Sequence, residues 1–101
     1  MKNYEIVYSE EAIDDLMNLA NYIIYTCKAP RTSSIYAKNI VNTINNLAYI
    51  ADSIPLYNRK SFFQYGNSVR RINYKKMAIL FTIFGNKVII QRIIPGALFM
   101  E

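Results

Sequence analysis

The chain has 101 residues, 52% of them apolar and 19% charged, which is the composition of a folded domain rather than a disordered segment. It contains no histidine and one cysteine, Cys27. Triads built on a Ser–His or Cys–His pair, a Cys/His zinc site and an internal disulfide are thereby excluded. The net charge of +5 is unevenly placed: residues 1–54 carry four Lys and Arg against six Asp and Glu, whereas residues 55–101 carry eight against one.

The length fits a single domain spanning residues 1–101. Cys27 reads as a small apolar core residue, and a lone thiol suits a reducing cytosol. The three glycines form no phosphate loop or dinucleotide fingerprint, so no cofactor and no metal are expected. The longest apolar run, residues 77–81, is far short of the ~20 residues a membrane span needs. The N-terminus also lacks a signal-peptide core, so a cytoplasmic location without membrane attachment is expected. The basic second half points to an anionic partner.

Tyr4, Ile6 and Tyr8 alternate with Glu5 and Val7 as in a short strand. Ser9 then suits a helix N-cap, and Glu10, Glu11, Asp14 and Asp15 follow near the positive end of the helix dipole. Ala12 stands where a full capping box would carry Glu or Gln. Ala12, Ile13, Leu16, Leu19, Ala20, Ile23 and Ile24 form one helical stripe, which predicts a helix ending within residues 25–28. Pro30 fits the first turn of a second helix. Its stripe runs through Ile35, Tyr36, Ile40, Val41, Ile44, Leu47, Ala48 and Ala51 until Ser53-Ile54-Pro55 stops it. The spacing predicts helices of about 18 and 20 residues.

Residues 55–68 read as a loop, tacked to the core by Phe62 and Phe63. Residues 69–74, 77–84 and 87–94 read as strands. Gly85-Asn86 between the last two has the Gly-X chemistry of a type II′ hairpin. Pro95-Gly96 ends the last strand, and Ala97-Leu98-Phe99-Met100-Glu101 is a short apolar tail. The order β-α-α-β-β-β predicts an α+β fold, with a long helical hairpin on one face of a mainly antiparallel four-stranded sheet. The first strand must join that sheet by a long-range contact, and the second face of the sheet is left for water or a partner.

Several stretches carry a resemblance to a known family. They are Tyr4-Glu5-Ile6-Val7-Tyr8-Ser9-Glu10-Glu11-Ala12-Ile13-Asp14-Asp15-Leu16, then Pro30 with Tyr36, then Gly66 ahead of Val69-Arg70-Arg71-Ile72, and finally Val88-Ile89-Ile90-Gln91-Arg92-Ile93-Ile94. In this order they resemble the RelE/ParE superfamily of type II toxin–antitoxin toxins, over nearly the whole chain. The resemblance implies a toxin neutralised by a cognate acidic antitoxin, in a toxin–antitoxin hetero-oligomer.

It also implies one of two actions. ParE-like members bind and poison DNA gyrase; RelE-like members cleave mRNA on the ribosome without metal. Cleavage requires groups that activate the 2′-OH, stabilise the phosphate and protonate the leaving oxygen. Arg70, Arg71 and Arg92 fall on the family's basic positions and are the catalytic candidates for a nuclease, with no residue assigned firmly. The tail carries Leu98-Phe99 where a Tyr or His is common, and phenylalanine transfers no proton. The long helices and modest charge favour the ParE-like branch. A third reading is an inactive homologue that only binds its antitoxin.

Arg59, Lys60, Arg70, Arg71, Arg92, Leu98 and Phe99 are the candidate contacts for target or antitoxin. Arg70 and Arg71 are neighbours on a strand and point to opposite faces. One suits a target, the other a helix carboxylate such as Asp14 or Asp15. Arg92 lies among Ile89, Ile90, Ile93 and Ile94, where a charge needs a reason. Lys75 and Lys76, at a turn, read as solvent-exposed.

Overall fold

The computed structural model describes residues 3–25, 30–56 and 68–96. Cys27, Arg59, Lys60, Phe62, Phe63, Gly66, Leu98 and Phe99 lie outside the described residues. Strand β1 (Glu5–Tyr8) leads into α1 (Glu10–Tyr25) and α2 (Pro30–Asn45). A short α3 (Leu47–Ile50) and a 3-10 turn (Ala51–Ser53) follow, then β2 (Arg70–Tyr74), β3 (Met77–Phe84) and β4 (Lys87–Pro95). The sheet order is β1-β4-β3-β2. β2–β3 and β3–β4 pair antiparallel, and β1 pairs parallel to β4 from Glu5↔Lys87 to Tyr8↔Ile90. The expected α+β architecture is present, with a mixed sheet.

Ser9 ends β1 and caps α1. Its hydroxyl accepts the Ala12 N–H at 3.0 Å and donates to the Gln91 carbonyl at 2.9 Å. One side chain therefore satisfies an orphan donor of the helix and an acceptor on the β4 edge. At the other hairpin, Gly85 has φ +62 between Phe84 and Lys87, the positive angle that the Gly-Asn pair foretold.

The second helix differs from its sequence stripe. The helix expected to run on past residue 50 breaks at Asn46 and resumes as α3. Asn45 and Asn46 sit at the break, and asparagine side chains compete with the helical backbone for hydrogen bonds. Asn46 keeps helical angles (φ −63, ψ −22), and Leu47 and Ala51 are still fully buried, so the apolar face continues across the break.

Ile40, Ile44, Leu47, Ala51 and Ala12 pack on Tyr4, Met77, Ile79, Phe81, Val88, Ile90 and Ile93 to form the core. Ile13 and Ile35, read as part of the stripes, are instead exposed. The second sheet face also departs from expectation. Ala78, paired with Ile94, and Leu80, paired with Arg92, alternate away from the core, yet Ala78, Leu80 and Ile94 are all buried. β3 is apolar at every position from Met77 to Phe81, the pattern of a strand covered on both faces.

Tyr8 holds a buried hydroxyl with no hydrogen-bond partner among the described residues, and burial raises its pKa above 10.0. The unfolded chain ionises this phenol first. The stability tied to its neutral form is therefore intact below pH ~10 and falls as pH rises through the higher folded-state pKa. Tyr8→Phe removes the unpaired hydroxyl and is expected to stabilise by about 1 kcal/mol at neutral pH. The advantage should widen above pH ~10, as read by urea unfolding across pH 7–11.

Candidate functional site

Three arginines on the sheet were candidates for one basic centre, and the fold sends them in three directions. Arg70 shares the core-facing side of β2 with Ile72 and Tyr74. Its Nη1 donates to the Ile54 carbonyl and, at 3.4 Å, to the Asp52 carbonyl. These acceptors lie at the C-terminal end of the 3-10 turn, where a cation complements exposed carbonyls. Leu56, within the segment read as loop, adds an antiparallel bridge to Arg70. Arg70 thus ties the end of the helical segment to the sheet edge.

Arg71 points to the other face, opposite Leu80. Its Nε donates to Asn73 Oδ1 at 3.0 Å. Its guanidinium lies against Gly96, where a Cβ would stand 2.9 Å from Nη2 and 3.3 Å from the Lys76 carbonyl oxygen. The Gly96 N–H also donates to that carbonyl at 2.8 Å. Glycine at 96 therefore makes the room that Arg71 occupies. Gly96→Ala is expected to displace the guanidinium and cost about 1 kcal/mol, the lower end of overpacking penalties, as measured by thermal unfolding.

Arg92 reaches round the β4 edge to α1. A bulge causes this: Leu80 pairs with Arg92 and Phe81 with Ile90, leaving Gln91 unpaired. Beyond Ile90 the β4 edge has no β1 partner, and α1 takes its place. Arg92 Nε and Nη2 donate to Asp15 Oδ2 and Oδ1 at 2.7 and 2.9 Å, a two-pronged clamp. The same Oδ2 accepts the Ile93 N–H at 2.9 Å, and Glu11 lies 3.6 Å from Nη1. The helix carboxylate expected to pair with Arg70 or Arg71 pairs with Arg92 instead. The cause is topology, since α1 runs along β4 and not along β2.

Both lysines of the β2–β3 turn are exposed, as expected, and Lys75 also meets two aromatic rings. Lys75 adopts φ +52, uncommon for a residue with a Cβ. Its ammonium stands 5.5 Å from the Tyr36 ring centroid and 5.7 Å from that of Tyr74, and these rings meet edge-to-face at 5.2 Å. Burial, with a smaller contribution from Tyr74, raises the Tyr36 pKa above 10.0. Tyr8 and Tyr36 are therefore held protonated and are poor general bases at neutral pH.

Between α1 and the end of the hairpin sheet lies a cleft of about 680 Å³. Leu19, Met77, Ile94 and Pro95 supply apolar walls. Asn18, Lys76 and the Asp15–Arg92 pair supply its polar groups. Sequence reading did not find this site, because its walls come from residues far apart in the chain. Among the described residues, no cluster of three or more His, Cys, Asp or Glu suits a metal, and no helix is long and apolar enough to cross a membrane.

No family model and no curated sequence matches the chain. Among solved structures, it is similar to a chain described as "Chromosomal ParDE TA system from P. aeruginosa". The TM-score is 0.74 at 17% identity, covering 91% of this chain and 95% of that one. The two share a fold, α helices on a four-stranded mixed sheet, over nearly their whole lengths.

Proposed function

We propose that the chain is the toxin half of a bacterial type II toxin–antitoxin module, of the ParE-like kind, acting by binding and poisoning DNA gyrase. The observation that carries this reading is the fold shared with a chain of a ParDE system over 91% of the length. The basic second half of the sequence suits an acidic antitoxin, in line with the resemblance of the sequence motifs to the RelE/ParE superfamily.

The arginine geometry supports binding over RNA cleavage. A metal-independent nuclease needs several cations and a proton-transfer group around one phosphate. Here Arg92 is clamped by Asp15, Arg70 is directed to backbone carbonyls and Arg71 lies on the opposite face of β2, bonded to Asn73, so the three do not converge on one centre. Arg59, Lys60, Leu98 and Phe99, outside the described residues, remain proposed partner contacts. A binding toxin spreads its affinity over such anchors and needs no convergent centre.

The test is induction of the chain alone in a bacterium, following labelled thymidine and labelled amino acid together. DNA synthesis is expected to stop first, with Arg71→Ala weakening the arrest without abolishing it. Protein synthesis stopping first, with complete rescue by Arg71→Ala, would establish the ribosomal nuclease reading. If neither stops, the chain is a homologue that only binds its antitoxin.

A further inference from the structure

The sheet face turned away from the helices is not uniform along its strands. Ala78 and Leu80 on that face are fully buried, Thr82 is half-buried and Phe84 is 75% exposed. The face is therefore open at the β3–β4 hairpin end. Strand alternation sets what it shows there. Ile6, Phe81, Ile83 and Val88 turn to the core, so Glu5, Val7, Thr82, Phe84, Lys87 and Ile89 turn outward. The register arranges these six in two rows across three strands. Glu5 of β1 stands beside Lys87 of β4, which stands beside Phe84 of β3. Val7, Ile89 and Thr82 form the next row. Glu5 and Lys87 are both exposed, and neither has an ion-pair partner among the described residues.

The first row thus runs negative, positive, aromatic, with no net charge. A partner of one sign gains at one residue and loses at the other, whereas a surface that presents the reverse order satisfies both. The patch itself becomes that surface after a half-turn about an axis that runs along the strands between β1 and β4. The half-turn sets Glu5 over the second copy's Lys87, Lys87 over its Glu5, and Val7 and Ile89 over each other's counterparts. A half-turn about the crosswise axis would set Glu5 over Glu5 and is opposed by like charge. We infer that this end of the sheet is the interface of a symmetric dimer of the chain, held by two reciprocal Glu5–Lys87 pairs over a Val7–Ile89 contact. Phe84 then lies outside both pairs, one ring on each flank, where it keeps water from them. Facing sheets pack ~10 Å apart, a distance these side chains bridge. The patch occupies one end of three strands, which is small beside the ~800 Å² per partner of a standard interface. The dimer is accordingly weak, with a dissociation constant on the order of 100 μM.

The test is sedimentation equilibrium of the full chain over concentrations that bracket this constant. A monomer–dimer equilibrium is expected. Glu5→Lys and Lys87→Glu should each weaken it at least ~10-fold, because the two-fold axis turns one reversal into two like-charge contacts. Phe84→Ser should weaken it by a similar factor, about that of a lost interface anchor. Lys38→Glu, the same charge change on an exposed residue of α2, should leave it unaltered. The decisive sample mixes the Glu5→Lys and Lys87→Glu chains. Each alone opposes like charges, but one of each restores both ion pairs, so the mixture should associate as tightly as the parent chain. All four positions are exposed, so the variants should remain folded, as read by thermal unfolding.

The inference is overturned if the chain remains monomeric at about ten times that concentration, the result expected if this face belongs to another protein. It is equally overturned by a dimer that ignores Glu5→Lys and Lys87→Glu, or falls as much with Lys38→Glu. A mixture of the two charge variants that fails to associate also overturns it.

Discussion

Replacing Asp15 with alanine is expected to destabilise the fold by about 3 kcal/mol, in the range for breaking a largely buried ion pair. The carboxylate accepts three hydrogen bonds, two from Arg92 and one from the Ile93 N–H. The Asp15 side chain is 12% exposed and that of Arg92 27%, so water does not fully replace what is lost. Glu11, at 3.6 Å and far more exposed, is a weak substitute. Alanine leaves the guanidinium without its clamp and the Ile93 donor without an acceptor. At about 4–8 °C per kcal/mol for a domain of this size, thermal unfolding should fall by more than ~10 °C. Asp15→Asn keeps an acceptor for Ile93 and should recover part of the loss.

The same geometry governs how substitutions of Arg92 are to be interpreted. A charge in an apolar strand invites a catalytic role, and Arg92→Ala would indeed silence the protein if it unfolds it. Arg92→Met keeps much of the packed stem and leaves Asp15 with the Ile93 N–H. Toxicity retained by a folded Arg92→Met variant would assign the arginine to architecture alone.

Phe81→Ala is expected to cost about 4 kcal/mol, within the range for removing a core aromatic side chain. Phe81 is fully buried at the centre of β3 and adjoins the bulge that aims Arg92 at α1. It pairs with Ile90 and shares one core cluster with Ile44 and Leu47, so three further elements meet in that core and limit its relaxation. Domains have only ~5–15 kcal/mol in total, so the variant should unfold at much lower urea, with little change in slope. Phe81→Leu should retain most of the stability, which separates lost volume from lost aromaticity.

Local chemistry made much of the fold legible. The Tyr4–Ile6–Tyr8 alternation, the Ser9 cap, Pro30 at the start of α2 and the Gly85-Asn86 turn each act through near neighbours in sequence, and each lies where it was expected. The helix break at Asn46 was masked by an apolar stripe that continues through Leu47 and Ala51 in the core. The parallel pairing of β1 with β4 depends on how the helical hairpin returns the chain, which no local pattern encodes.

The site was harder to read. Arg92 and Asp15 are 77 residues apart, and their pairing follows from a bulge at Gln91 that carries no glycine to announce it. One signal was present. A single arginine interrupts an isoleucine-rich strand, and its partner Asp15 was concealed among four carboxylates that the helix dipole accounts for. Gly96, legible in the sequence only as the end of the last strand, leaves the space for the Arg71 guanidinium.

The most direct measurement adds the purified chain to DNA gyrase, ATP and relaxed plasmid. Supercoiling is expected to stop and cleaved plasmid to accumulate as the concentration of the chain rises. Arg71→Ala should shift the response to higher concentration, whereas folded Arg92→Met leaves it in place. Unimpaired supercoiling, together with mRNA cleavage when the same chain enters a translation reaction, would contradict the binding-toxin reading.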